Sequence, residues 1–245
     1  MERLIVKHLK AYYQNKKSKT QVLDDVSFSL EDGKIIVILG PSGCGKTTLL
    51  KCIAGFVEYE GDITLSGIDN SRLSVKNKNL AYVSQSFTTY SYLNVYNNLA
   101  LPLKASKIDA DEIDKRINQI AKELDIDYLL TRKPKYLSFG QCQKVSIARA
   151  IIKNPDLFLF DEPFSNLDAT NRIELRKIVK DIKEKYNKAL VFVTHDINDA
   201  LYLADTIVIL DQGKIVQQGT IDDILKNPIN DFVKSFISNA GKENE

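Results

Sequence analysis

The strongest pattern along the chain is a set of short runs that are apolar at every position. They are Ile35-Ile36-Val37-Ile38-Leu39, Leu157-Phe158-Leu159-Phe160, Leu190-Val191-Phe192-Val193 and Ile207-Val208-Ile209-Leu210. Runs of this length and continuity predict parallel strands buried on both faces. Residues 5–13, 26–30, 62–65 and 80–84 predict further strands, and 26–30 and 62–65 alternate cleanly between apolar and polar. Glu31-Asp32-Gly33 reads as a turn before the run at 35–39. Between 87 and 155 the period becomes helical. Asp109-Ala110-Asp111-Glu112 resembles a capping box, and Ile113, Ile117, Ile120, Ala121 and Leu124 follow at helical spacing. A second helix starts near Ser138, with Val145, Ala148, Ile151 and Ile152 on one face. Leu175, Ile178, Val179, Ile182 and Tyr186 form the stripe of an amphipathic helix between two of the buried strands. After Gly219 two short helical patterns precede a polar tail.

Strand–helix alternation predicts an α/β fold with a doubly wound, mostly parallel sheet. The early strands predict an antiparallel β-subdomain and the central helices an inserted α-helical subdomain. The whole is expected to be one domain over residues 1–240. Its core is 1–86 with 156–218, its helical insertion 87–155, its C-terminal helices 219–240 and its frayed tail 241–245.

Composition narrows the partners. The 245 residues carry a formal net charge of only +2, so nothing global argues for nucleic acid. Lys16, Lys17 and Lys19 form a small basic cluster expected in a solvated loop. The three cysteines, Cys44, Cys52 and Cys142, are too few and too odd in number for a disulfide framework and fit a reducing compartment. No apolar stretch is long enough to span a bilayer, and the N-terminus lacks a signal-peptide pattern. The expectation is a cytoplasmic protein whose membrane role, if any, runs through a partner.

The chemistry begins directly after the run at 35–39. Gly40-Pro41-Ser42-Gly43-Cys44-Gly45-Lys46-Thr47-Thr48 matches the phosphate-binding P-loop, with the strand before it and the helix after it that the motif requires. Glycines let backbone N–H groups point at phosphate, and a helix N-terminus adds its positive end. Lys46 is placed for the β- and γ-phosphates and the Thr47 hydroxyl for Mg²⁺. The fold is therefore expected to be a P-loop NTPase core. Asp161 and Glu162 end the run 157–160, where ligands bind in such sheets. Asp161 is placed to hold Mg²⁺, and Glu162 is the natural general base for an attacking water.

Leu137-Ser138-Phe139-Gly140-Gln141 opens a helix upstream of that carboxylate pair. With the P-loop, this segment makes the chain resemble the ATP-binding subunit of an ABC transporter, whose signature usually reads Leu-Ser-Gly-Gly-Gln. The order of motifs over residues 4–218 is similar throughout. The resemblance implies roles for individual residues. Tyr13 would stack on adenine, with Tyr12 as the adjacent alternative. Gln85 would sense Mg²⁺ and the γ-phosphate and begin the segment that meets the membrane partner. Asp168, in Ser165-Asn166-Leu167-Asp168, would touch the opposite subunit and cap the next helix. His195 would be the switch contacting the γ-phosphate. Ser138, Gly140 and Gln141 of one subunit would close over the ATP on the P-loop of another, giving a head-to-tail dimer around two MgATP. His8 has no such context and reads as a strand surface residue. Two positions depart from the family: Phe139 replaces the first signature glycine, its side chain expected to point away from nucleotide, and Lys144 stands where arginine is usual.

Three segments resemble importers: Ser91 to Leu99, Asp161 to Ala169, and the tail pattern from Asn227 to Phe236. The implied protein hydrolyses ATP to drive import and sits on the inner face of the cell membrane. Its implied partners are a second cassette, identical or related, membrane permease subunits and an extracytoplasmic substrate-binding protein. The alternatives are the ATPase of an exporter and a soluble, non-transport ABC ATPase. The second of these usually carries extra domains or paired cassettes. The expectation is a cassette without the regulatory β-domain of longer importer ATPases, and the cargo is not written in the sequence.

Overall fold

In the computed structural model, which describes residues 1–15, 18–87 and 89–238, two sheets and a set of helices enclose two apolar cores. The first two strands, β1 (Glu2–Asn15) and β2 (Ser18–Glu31), form a long antiparallel hairpin. β3 (Ile35–Leu39) runs into α1 (Lys46–Ala54). β4 (Tyr59–Leu65) and β5 (Ile68–Asp69) complete a four-stranded antiparallel sheet in the order β2-β1-β4-β5.

After β6 (Leu80–Val83) come three helices, α2 (Val95–Ala105), α3 (Ala110–Glu123) and α4 (Phe139–Ile152), which pack on one another. The chain then alternates through β7 (Leu157–Asp161), α5 (Ala169–Tyr186), β8 (Ala189–Thr194), α6 (Ile197–Leu203) and β9 (Thr206–Asp211). β10 (Lys214–Gly219), α7 (Ile221–Lys226) and α8 (Asp231–Ser238) follow. The second sheet has the order β10-β9-β3-β8-β7-β6; β6, β7, β8, β3 and β9 are parallel, and β10 adds an antiparallel edge.

The all-apolar runs lie at the centre of this sheet because each strand buries both faces. Ile35, Val37, Leu39, Phe158, Phe160, Leu190, Phe192, Ile207 and Ile209 point into the core shared with the helices after β6. Ile36, Ile38, Leu157, Leu159, Val191, Val193, Val208 and Leu210 point the other way, against α1 and the antiparallel sheet. One face is thus covered by a sheet and one helix rather than by helices alone. Full burial of each such side chain contributes roughly 1.5–3 kcal/mol, so the parallel strands are the rigid frame of the molecule.

Five details differ from the sequence expectations. Helix α2 falls in the stretch read as helical but was not delimited, since Pro102 lies inside it, Asn94 caps it and Asn97 and Asn98 stand in its first turn. The short helix α6 and the strand β10 were not signalled. Asp109 caps α3 through the Asp111 N–H, but Glu112 turns to Arg116 (2.6 Å), an i,i+4 pair that replaces the return bond of a capping box. Lys19 is not in a loop: the β1–β2 pairing persists to the hairpin end, so Lys19 sits in β2, over the Tyr12 ring. Lys16, Lys17 and the tail 241–245 lie outside the described residues. His8 is an exposed strand residue paired with Asp25 at 2.7 Å, and the three cysteines are buried and free.

Candidate nucleotide site

Strand register gathers the candidate residues at one edge. Leu39 pairs with Thr194, Val193 with Asp161, and Phe160 with Val83. The carboxyl ends of β3, β8, β7 and β6 therefore stand side by side, and the loops leaving them carry the P-loop, His195, Glu162 and Gln85. In open α/β sheets this edge is where ligands bind.

The P-loop reverses direction on Gly43 and Gly45, whose φ values of 82° and 111° other residues rarely adopt. Gly45 leads directly into α1, whose first turn has no acidic residue and no side-chain cap. Helices α2 to α7 are capped by Asn94, Asp109, Ser138, Asp168, Asp196 and Thr220. The orphan N–H groups of α1 and its positive end are thus left facing the loop, as anion binding requires. Lys46 is buried, and its ammonium donates to the carbonyls of Gly40 (2.8 Å) and Pro41 (2.9 Å) and lies 3.4 Å from Glu162 Oε1. Burial pushes the Cys44 thiol up, so it is a packing residue of the loop rather than a thiolate.

Thr47 Oγ1 donates to Asp161 Oδ1 (2.8 Å), and the Tyr82 hydroxyl donates to Asp161 Oδ2 (2.7 Å). Burial and the Asp161 carboxylate push the Tyr82 hydroxyl pKa up, which keeps it a proton donor to that carboxylate. Tyr82 was not singled out in the sequence; its signal was a polar tip at the end of a buried strand. Thr47 and Asp161 offer one hydroxyl and one carboxylate side by side. Among the described residues no group of three or more His, Cys, Asp or Glu could hold a metal. That sparse donor set fits Mg²⁺, which is held by one or two protein ligands plus phosphate oxygens and water.

Glu162 has φ 46°, a left-handed conformation that costs a non-glycine residue about 1–3 kcal/mol and clusters at functional sites. Its N–H donates to the Val193 carbonyl (3.0 Å), tying the strand end of β7 to that of β8. The carboxylate is shared: Oε1 faces Lys46 and Oε2 lies 3.1 Å from Nδ1 of the half-exposed His195. Gln85 Nε2 donates to Ser165 Oγ (3.0 Å), which donates to the Glu162 carbonyl (3.1 Å). Gln85, Glu162, Lys46 and His195 thus form one connected group. Tyr13, 45% exposed, reaches Thr48 Oγ1 at 3.3 Å, whereas Tyr12 is engaged by Lys19 and Glu60 away from the loop.

The segment 137–141 stands apart from that group. Ser138 and Gln141 close a capping box on α4 (3.3 and 3.0 Å), and Gln141 Nε2 reaches the Tyr128 hydroxyl (3.4 Å). Gly140 is buried against α5, where a Cβ would come within 2.6 Å of Asn171 Oδ1. Asn171 in turn donates to Asp168 from its backbone (2.9 Å) and side chain (2.5 Å). These bonds hold the Asp168 carboxyl below its ordinary range. The Phe139 ring stands edge-on to Phe87, centroids 4.4 Å apart, two residues beyond Gln85. Lys144 is buried and bonded to Glu174 at 2.6 Å, joining α4 to α5 with a single prong.

A P-loop, a carboxylate pair and a histidine on one edge of a parallel sheet define a nucleoside-triphosphate-binding α/β protein. Comparison with known families is specific: residues 23–165 match the model described as ABC transporter, more than half of the chain, and the chain belongs to that family. It is 42% identical over 237 residues to the sn-glycerol-3-phosphate import ATP-binding protein UgpC of Vibrio cholerae, covering 96% of this chain and 62% of that protein. It is 39% identical over 238 residues to the oligosaccharides import ATP-binding protein MsmX of Bacillus subtilis, covering 97% and 64%. The chain thus spans about three-fifths of the length of such relatives. Among solved structures it resembles the dimeric post-hydrolysis state of the ATP-binding cassette MJ0796 bound to ADP and Pi. The TM-score is 0.81 at 28% identity, over 89% of this chain and 98% of that one.

Proposed function

We propose that this chain is the ATP-binding and ATP-hydrolysing cassette of an importer, working as a pair around two MgATP and driving a membrane permease. The observation that carries the reading is the connected group of Lys46, Glu162, His195 and Gln85 beside the P-loop. Tyr13 offers an exposed π-face for adenine next to Thr48. The N–H groups of residues 43–48 and the positive end of α1 hold the phosphates, and Lys46 exchanges its carbonyl bonds for phosphate oxygens. Thr47 and Asp161, with Gln85 as a further oxygen donor, hold Mg²⁺, which neutralises phosphate charge when bound. Glu162 orients a water by accepting its proton at a carboxylate oxygen, and His195 steadies that carboxylate from its other side.

Ser138, Gly140, Gln141 and Asp168 are surplus to this half-site. They serve the site of the second cassette, a head-to-tail arrangement with two equivalent composite sites. The dimeric state of the MJ0796 cassette supports it. Closure moves the helical stretch 87–155 against the core 1–86 and 156–218, with the helices of 219–240 riding on the core. Movement passes to the permease through the segment from Gln85 to Leu99. There Leu99 and Val95 are core residues, while Tyr90 and Tyr92 remain exposed. No helix of the described residues is long and apolar enough to cross a membrane. Attachment to the inner face of the membrane through the permease belongs to the importer reading. The names of the relatives, import proteins for sn-glycerol-3-phosphate and for oligosaccharides, support a polar organic cargo; an extracytoplasmic binding protein is the further partner of this importer reading. The test is turnover: the purified chain hydrolyses MgATP, and Lys46→Ala lowers the rate at least about a hundredfold by removing the counter-charge to phosphate. Full turnover in that variant would refute the site.

A further inference from the structure

We infer that Arg172 is a positioning residue that sets His195 and Glu162 relative to each other from behind both loops; the inference rests on the ATPase reading of those two residues. Arg172 lies in the first turn of α5, the helix that starts at the partner-facing Asp168. One guanidinium nitrogen pairs with Asp196 Oδ2, directly after His195. The other, Nη2, donates to the carbonyl of Phe164 (3.4 Å), two residues after Glu162. A single planar side chain therefore holds both loops, which a point charge on a flexible stem could not do. Its Nε is buried and has no hydrogen-bond partner among the described residues, so the group is committed to these two contacts.

The other side of His195 is pinned to the same helix. Thr194 Oγ1 donates to the buried Asp199 (3.1 Å) and accepts from the Asp196 N–H (3.0 Å). Asp199 is held by Arg176 Nε and Nη2 at 2.6 and 2.5 Å, and Arg176 lies 3.6 Å from Asp196. Two arginines and two aspartates, all mostly buried, thus clamp the residues flanking His195 onto α5. Any shift of α5 at Asp168 reaches the His195–Glu162 contact as a rigid displacement. Misplacement of reacting groups by about 1 Å can cost about a hundredfold in rate, without weakening substrate binding.

The test compares Arg172→Met and Arg172→Lys with wild type for MgATP turnover, ATP-driven dimerisation and thermal melting. Arg172→Met is expected to lower kcat by about tenfold to a hundredfold while KM and dimerisation stay within about twofold. Arg172→Lys, which restores the charge on Asp196 but not the bond to Phe164, should recover part of the loss. In a His195→Ala background, followed by single-turnover hydrolysis, Arg172→Met should add less than about twofold, because its effect passes through the missing histidine. Should Arg172→Met not fold, Asp196→Asn breaks the same pair while keeping the cap on α6 and carries the same expectations. A folded variant with wild-type kcat, a loss shared equally by KM, or full additivity with His195→Ala would overturn the role of Arg172. An inactive wild-type chain would instead overturn the ATPase reading itself.

Discussion

Phe139→Ala removes the aromatic side chain that stands in place of the first signature glycine. The ring lies edge-on to Phe87 at 4.4 Å, an aromatic pairing worth about 0.5–1.5 kcal/mol beyond area burial. Because the ring is 37% exposed, truncation loses less than the roughly 3–5 kcal/mol of a fully buried phenylalanine. The substitution falls at the first residue of α4, whose cap is made by Ser138 and Gln141 and survives it. The net cost is about 1–2 kcal/mol, which in a chain of this size lowers Tm by roughly 2–8 °C. Monomer affinity for ATP should not change, since the P-loop and Tyr13 are untouched. Thermal melting and a fluorescent-nucleotide titration read the two quantities separately. A double-mutant cycle with Phe87→Ala should return a coupling of about 0.5–1.5 kcal/mol. Zero coupling, or a loss of ATP affinity above about threefold, would refute the assignment of Phe139 to Phe87 rather than to nucleotide.

Ser138→Arg forfeits the α4 cap, about 0.5–2 kcal/mol of stability, and puts a long side chain where the proposed dimer has a second cassette close. ATP binding to the monomer should persist while ATP-driven dimerisation disappears; normal dimerisation would make segment 137–141 a helix cap and nothing more. Asp205 accepts from the Ile35 N–H (2.8 Å) and from Lys183 (2.7 Å). Burial alone would raise its carboxyl, but these bonds and the charges of Lys183 and Lys34 outweigh it and hold the folded value below 3.8. Its stabilisation is therefore complete above that pH and lost as pH falls through the lower folded value. Asp205→Asn should cost about 1–3 kcal/mol at neutral pH and flatten the acid limb of the stability curve, which chemical denaturation at several pH values will measure.

The parts of the fold that rest on a single strong physical signal were legible in the sequence. Strands buried on both faces have no polar positions to confuse the period, so 35–39, 157–160, 190–193 and 207–210 announced themselves. The P-loop and Asp161-Glu162 were legible because backbone geometry and charge both constrain them. Helix α2 was hidden by Pro102 and by Asn98, which reads as a surface residue. It is in fact buried, bonded to the loop before α2 through Tyr90, Leu93 and Asn94. The Arg172–Asp196–Arg176–Asp199 network was invisible for a related reason: charges at helical spacing look solvated until a second element is packed over them. Phe87 had no pattern to mark it, because its partner Phe139 lies 52 positions away and only the fold brings them together.

In the proposed function, ATP joins two of these cassettes and Glu162 ends that union by hydrolysis. Glu162→Gln keeps the shape and the contact with His195 but removes the charge that accepts a proton. Sedimentation of the purified variant should show a monomer alone and with MgADP, and a dimer with MgATP that persists because the γ-phosphate is not cleaved. A variant that binds MgATP with wild-type affinity yet sediments only as a monomer would contradict ATP-driven pairing.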